Sequence, residues 1–372
     1  MIKVLQVITS LEGGGGVQMF LKNYHKYIDK NKIKFDFIVY GDKIGELESY
    51  FEKYGSKIYH VPPKTKSLFK SLYQTNNIIK NGKYDVVHVH QDIMSIFPIY
   101  FAKKANINLR IAHAHNAFKS NNKFKVFIHK ILLFSLEKNS NYWAACGKEA
   151  AIDLWGKKNV DSGKVNIINN AIDLERFRFN DDVRNQIREK LEIKDKFVIG
   201  NVGRLSHQKN HKFIIEIFKH IYNVEKNTVL LLVGNGELEY EIRNQVKEFG
   251  LEENVRFLGL RNDIDKILQG MDIFLLPSKF EGLPIVLVEA QACGVRCVVS
   301  DVVTKEIDIT NKIDYISLNE EVKIWSDKIL SYKDNEEHDR YNALNIIKKS
   351  GFDIKEQAKN LEKIYESYKS YT

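Results

Sequence analysis

Two glutamates with seven residues between them, Glu281 and Glu289, stand in the stretch MDIFLLPSKFEGLPIVLVEAQACGVRCVVSD, Met271–Asp301. Asp272–Leu276 is a short apolar run of the kind that forms a buried parallel strand, and Pro277–Phe280 read as a loop. From about Pro284, the apolar positions Leu287, Val288, Ala290 and Ala292 predict a helix that Gly294 stops. The end of a parallel strand followed by a helix amino terminus is where α/β proteins place anionic ligands. Glu281 falls in the loop and Glu289 roughly two turns into the helix, about 12 Å along its axis. Carboxylates that far apart do not flank one bond. They can accept hydrogen bonds from hydroxyls at two ends of an extended ligand, as a nucleotide sugar has. Alone, such a pair far more often marks a surface helix with two unrelated glutamates.

Three other groups of residues could share that chemistry. Arg204 and Lys209 lie in VGRLSHQKNHKFII, Val202–Ile215, just after another apolar strand. Fixed cations in a water-poor site stabilise the charge that develops on a departing diphosphate, without a metal. Taken singly, both also read as solvated surface cations. Gly13–Gly16 separate the first strand from a helix beginning near Val17, and glycines there let the backbone approach a ligand. GGGGVQ lacks the third glycine of G-x-G-x-x-G, so it is weak evidence for a dinucleotide. His88/His90 and His113/His115 are H-x-H pairs near strand ends, each pair on one face. Zinc is conceivable there. Parallel strands are buried on both faces, however, and no clustered carboxylate or cysteine completes a ligand set, so no metal or other cofactor is expected.

The stretch around Glu281 and Glu289 resembles the signature of the family-4 retaining glycosyltransferases of GT-B fold: an apolar strand, Pro-Ser, E-G-x-P-x-x-x-x-E, then A-x-x-x-G-x-P/R-V-V. Gly282, Leu283 and Pro284 fall within it. Val202–Ile215 is similar to the family's G-R-L-x-x-x-K-G motif, with Asn210 in place of glycine, and Ile168–Asp182 to its P-N-G-V-D-x-x-x-F segment. RIAHAHNAF resembles the family strand ending in His-Asn or His-Asp. One departure stands out: where the family commonly has D-x-G-G-x-x-E, this chain has Asp301-Val302-Val303-Thr304-Lys305-Glu306. That wording is similar to the subgroup building capsular and exopolysaccharide.

The resemblance implies a metal-independent retaining transfer of a hexose or N-acetylhexosamine from a nucleotide donor, a UDP-sugar for preference, to a lipid-linked or saccharide acceptor. It assigns Arg204 and Lys209 to the leaving diphosphate and places His115 beside the donor sugar, with His113 buried behind it. Glu281 and the amides of Gly282 and Leu283 would hold sugar and diphosphate, with Pro284 beside them. Glu289 would accept from the ribose hydroxyls. Gly15 and Gly16 would wall the donor side, Gly234, Asn235 and Gly236 form a nucleotide-facing turn, and Leu260 lie in a base-side loop. The alternatives are a nucleotide-sugar epimerase of related fold and a non-catalytic GT-B partner subunit.

The rest of the chain supplies the scaffold. Strand-like runs alternate with helical stretches in two series, Lys3–Cys146 and Phe197–Ser300, which predicts two doubly wound α/β domains. We expect an amino-terminal acceptor domain of residues 1–170 plus 353–372, including a returning terminal helix, and a donor domain of 171–352. The 372 residues suffice for two cores, and no apolar run approaches the ~18–20 residues that cross a bilayer. With no signal peptide evident, a cytoplasmic protein is expected, at the inner face of the plasma membrane if the basic half docks there. The three cysteines show no C-x-x-C spacing. Lys and Arg exceed Asp and Glu by 12 over residues 1–150 and fall short by 3 over the rest. The densest cluster, Lys119–Lys138, alternates lysines with Phe124, Phe127, Ile131, Leu132 and Phe134. It reads either as an amphipathic helix on an anionic membrane or as a core helix with a solvated face. No nucleic-acid motif accompanies the charge.

Overall fold

The computed structural model describes residues 1–13, 15–115, 123–333 and 340–371. The chain divides into two compact units, Met1–Ala171 with Ile354–Thr372, and Ile172–Asp353.

The first unit contains β1 (Ile2–Val7), β2 (Ile33–Tyr40), β3 (Ile58–Val61), β4 (Val86–Val89), β5 (Leu109–Ala114), β6 (Tyr142–Ala145) and β7 (Val165–Ile167). They form one parallel sheet in the order β3-β2-β1-β4-β5-β6-β7. The second contains β8 (Phe197–Val202), β9 (Thr228–Val233), β10 (Val255–Gly259), β11 (Ile273–Leu276), β12 (Arg296–Ser300) and β13 (Ile313–Ile316), ordered β10-β9-β8-β11-β12-β13 and again parallel. Two doubly wound sheets are what the alternating pattern predicts. It does not single out β7 or β13. Both are short edge strands, and in β7 Asn166 and Ile167 face solvent, which leaves too little apolar signal to read.

The connectivity already says where ligands go. In each sheet the strand order reverses beside the first strand, between β1 and β4 and between β8 and β11. Loops at the carboxyl ends of such flanking strands part to opposite sides and leave a crevice. The loops after β8 and β11 carry Lys209 and Glu281; β4 and β5 carry His88 and His113, with His90 and His115 at the residue just beyond each strand.

Burial on both faces holds these strands in register. Along β11, Phe274 and Leu276 join one core layer of the second unit, while Ile273 and Leu275 join the other. Ahead of β11, the Asp272 carboxylate accepts from Arg184 (2.5 Å), Arg188 (3.2 Å) and the Val198 amide (2.8 Å), fixing where the strand starts and so where its far end delivers the loop. In the first unit, Val4, Phe20, Tyr24, Phe35 and Phe37 pack with Ala358, Leu361 and Tyr365 of the helix Ile354–Glu366. Cys146, Cys293 and Cys297 are buried and form no disulfide.

Candidate active site

Lys209 and Glu281 meet directly. The Lys209 ammonium lies 2.6 Å from Glu281 Oε1, with side chains 14% and 6% exposed, so the pair is largely removed from water. Gln208 donates both to Glu281 Oε2 (3.3 Å) and to the Phe280 carbonyl (3.0 Å), while the Lys279 amide donates to the Gln208 carbonyl (2.8 Å). The post-β8 loop is thus stitched to the post-β11 loop by backbone and side chain together. Asn210 takes a left-handed conformation (φ 58°) at the start of the helix His211–Val224. Asparagine tolerates that region well, which explains how it replaces the family's glycine.

A second set of contacts builds the wall beside this pair. The Gly203 amide donates to the Val233 carbonyl (2.9 Å) and the Leu205 amide to the Asn235 carbonyl (2.9 Å). Gly234 has φ 128°, and a Cβ there would stand 2.1 Å from the Gly203 carbonyl oxygen, so the close approach of the two loops requires glycine. Gly236 abuts the Leu205 backbone in the same way. Leu260 is exposed. Arg204 points outward: its guanidinium pairs with Glu237 (3.0 Å), and the side chains are 70% and 53% exposed. An exposed pair of this kind holds its partners weakly.

The helix Ile285–Ala292 begins after Glu281, with exposed Gly282, half-buried Leu283 and buried Pro284 at its entrance. Glu289 is therefore its fifth residue, a little over one turn in rather than two. Residues 281–284 are not helical, so the axial rise anticipated from the sequence does not apply to the whole interval. Burial pushes the Glu289 carboxyl up to about 7; Arg176 pulls it back and Asp265 adds to it. Arg176 itself is held by Asp265 (2.8 Å) and the Asn262 carbonyl (2.5 Å). Arg176 and Gln208 escaped the sequence reading, since a single arginine or glutamine in a polar segment carries no spacing signal. Where the family's two glycines are missing, the Thr304 hydroxyl accepts from the Glu306 amide (3.2 Å) and opens a short 3-10 turn, Lys305–Ile307.

In the first unit, Gly15 precedes the helix Gly16–Tyr27, and a Cβ on Gly16 would meet nothing within 4 Å. One turn on, Phe20 packs against the rings of His90, His113 and His115 (5.7, 5.2 and 5.8 Å between centroids). The two H-x-H pairs form one buried cluster, with ring centroids 4.1 Å apart within each pair. His88, His90 and His113 bring ligand-type nitrogens within 4.8 Å of one another, closer to a metal-binding set than their sequence spacing indicates. Those nitrogens are occupied with one another: His88 Nε2 to His113 Nδ1 (3.0 Å), and His90 Nδ1 to His115 Nε2 (2.8 Å). Burial drives His88, His90 and His113 far below the usual histidine range, assisted by the neighbouring rings. It takes His115 to about 4 against the pull of Asp92, whose carboxylate accepts from the His115 amide (2.7 Å). All four rings are neutral at pH 7.

Of the basic cluster, Lys119 and its neighbours through residue 122 lie outside the described residues. On the helix Lys123–Asn139 the large apolar side chains Phe127, Ile128, Ile131 and Phe134 are exposed (38–70%), whereas Leu136 is buried. The solvated face thus carries apolar side chains together with Lys130 and Lys138. No helix among the described residues is long and apolar enough to cross a membrane.

Comparison with known proteins identifies the family and the fold. Residues 183–350 match the family model described as glycosyl transferases group 1, and residues 14–176 match glycosyltransferase family 4. The chain is 30% identical over 336 residues to EpsF of Bacillus subtilis (strain 168), whose name places it among glycosyltransferases, covering 88% of this chain and 86% of that one. It is 29% identical over 338 residues to the Escherichia coli UDP-Gal:alpha-D-GlcNAc-diphosphoundecaprenol alpha-1,3-galactosyltransferase (85% and 87% covered). It is 27% identical over 378 residues to the capsular polysaccharide biosynthesis glycosyltransferase CapH of Staphylococcus aureus (99% of both). Its fold is that of Anabaena HepE, solved in complex with UDP-glucose, at a TM-score of 0.77 with 18% identity and full coverage of both chains. Sequence and fold together place the chain in the family-4 glycosyltransferases of GT-B fold, in the subgroup that builds capsular and exopolysaccharide.

Proposed function

We propose that the protein transfers a hexose or N-acetylhexosamine from a UDP-sugar to a lipid-linked acceptor, with retention of configuration and without a metal. The observation that carries this reading is the sequestered Lys209–Glu281 pair beside the entrance of the helix Ile285–Ala292. An ammonium has three donors. Glu281 takes one and orients the group, leaving two for oxygens of a diphosphate whose other oxygens meet free amides at the helix start. When the bond from the sugar's anomeric carbon to the phosphate oxygen breaks, the electron pair goes to the UDP diphosphate. Lys209 stabilises that charge, and Arg204 swings in from its exposed pairing to help. The acceptor hydroxyl attacks from the same face and passes its proton to the departing diphosphate oxygen. His115, neutral at pH 7, hydrogen-bonds the donor sugar.

The donor half of this scheme belongs to the second unit: Glu289 accepts from the ribose hydroxyls, and Gly234, Asn235, Gly236 and Leu260 border the nucleotide. The first unit binds the acceptor, with Gly15 and Gly16 admitting the donor's sugar end. A relative that acts on a diphosphoundecaprenol-linked sugar fits an acceptor of that class. The exposed Phe127, Ile128, Ile131 and Phe134, on a helix also bearing lysines, suit the anionic inner face of a membrane, which would make the protein cytoplasmic and peripheral. Incubation with a panel of UDP-, GDP- and ADP-sugars and membrane extract tests the reading: UDP release that requires extract is expected. Proton NMR of the product then reads the anomeric configuration, and inversion would refute the same-face mechanism.

A further inference from the structure

A chain of buried hydrogen bonds runs from the terminal helix to His115. Gln6, a fully buried polar residue in β1, donates from its amide nitrogen to the Tyr365 hydroxyl (3.0 Å). Its amide oxygen lies 2.9 Å from His90 Nε2. With the Gln6 amide in this orientation its oxygen can only accept, so His90 carries its proton on Nε2. A neutral ring then has a bare Nδ1, and His115 Nε2, 2.8 Å away, must donate to it. His115 in turn is left with its lone pair on Nδ1.

The other arm is consistent with the same orientation of Gln6. Tyr365, its hydroxyl kept protonated by burial, receives from Gln6 and donates to His88 Nδ1 (2.9 Å). His88 therefore donates from Nε2 to His113 Nδ1 (3.0 Å), and the remaining proton falls on His113 Nε2, a buried atom with no hydrogen-bond partner. Phe20 stands at 89° to that ring, its centroid 5.2 Å away. Every donor along both arms has one acceptor, except at that end.

We propose that Gln6 and His90 are positioning residues that lock His115 in the Nε2–H tautomer, so that it offers the sugar a hydrogen-bond acceptor at Nδ1, and that Tyr365 of the terminal helix sets the direction of the lock. The sugar-facing role of His115 rests on the function proposed above; the tautomer does not. A ring fixed this way cannot donate to a substrate hydroxyl through Nδ1, only accept from it. Because Gln6 serves both arms, reversing its amide would reverse all four rings together.

The test uses the full chain labelled with 15N-histidine, with the His115 signals identified by their loss in His115→Ala. The proposal expects an unprotonated Nδ1 and a protonated Nε2 for His115 at pH 7.5, and mixed tautomers in Gln6→Leu. In turnover, His90→Leu should lower kcat roughly tenfold, about the worth of one lost hydrogen bond to a reacting group. His90→Gln, which keeps one donor and one acceptor, should restore most of it, with the donor KM little changed in both. A protonated Nδ1 in the wild type, unchanged His115 signals in Gln6→Leu, or stoichiometric zinc in the purified protein would each overturn the lock. If His115→Ala turns over normally, the sugar-facing role fails while the NMR still decides the tautomer. If His90→Leu does not fold, Gln6→Leu and the wild-type spectrum carry the decision.

Discussion

The two units bury polar groups beside their switch points in opposite ways. In the second, Lys209 and Glu281 are kept as a charged pair at 2.6 Å with a little exposure left. In the first, four histidines are packed together as neutral rings, hydrogen-bonded to one another and onward to Gln6 and Tyr365. A buried ion pair stabilises little by itself, because desolvation consumes most of the attraction, so its retention points to a ligand that needs the charge. Diphosphate is such a ligand. A neutral cluster has no charge to offer and can contribute only direction, which is what a sugar hydroxyl requires. Under the proposed function the charged pair would serve the diphosphate and the neutral cluster the sugar, and the variants below address that division.

The largest effect should come from breaking the charged side. Lys209→Ala and Glu281→Ala are each expected to lower turnover by about 10²–10³-fold, the scale of a lost transition-state contact, with the far-UV circular dichroism unchanged. Normal turnover in either folded variant removes the site assignment. Next, Gly234→Val forces a side chain into the Gly203 carbonyl at φ 128°. A loss of about 1–3 kcal/mol in urea unfolding is expected, with weaker UDP binding; unchanged stability would mean that the two loops are free to separate.

Glu289 lies between the two extremes, since its carboxyl titrates near 7 rather than 4.5. Raised in the folded state, it makes stability fall as pH climbs from 4.5 towards 7, because the folded chain holds the extra proton in that interval. Hydroxyl donors on the ribose favour the carboxylate. Donor binding should therefore release protons at pH 6.5 and tighten up to about pH 7, visible as a buffer-dependent binding enthalpy that Glu289→Gln abolishes. Equal enthalpies in phosphate and Tris would exclude this. The smallest effect concerns the exposed apolar face of the helix Lys123–Asn139: Phe134→Ser should weaken sedimentation with anionic vesicles severalfold, since partial insertion of one aromatic side chain yields only a fraction of the ~1.5–3 kcal/mol of full burial. Turnover on a water-soluble acceptor analogue should stay unchanged.

How much of this was legible in the sequence follows from which signals are local. The parallel strands announce themselves as apolar runs because both faces are buried, as β11 shows with Phe274 and Ile273 in different layers. Glu281 and Lys209 are found through their neighbours, since strand, loop and helix start fix their positions. The edge strands β7 and β13 are not, because half of each faces solvent or polar contacts. Nor is the histidine network. Two H-x-H pairs reveal shared faces, but their partners Gln6 and Tyr365 lie 359 residues apart and meet only once the terminal helix is in place. A glutamine inside the apolar run KVLQVIT was the one available clue. The loop after Asp301 teaches a related point: glycines are one way to shape a turn, and the hydroxyl of Thr304 is another.

UDP release from a UDP-sugar in the presence of a lipid-linked acceptor, measured side by side for the wild type and Lys209→Ala, tests the central claim most directly. The account predicts acceptor-dependent release by the wild type that survives chelation of divalent metals, and a loss of about 10²–10³-fold in the variant. Equal release by the two folded proteins would contradict it.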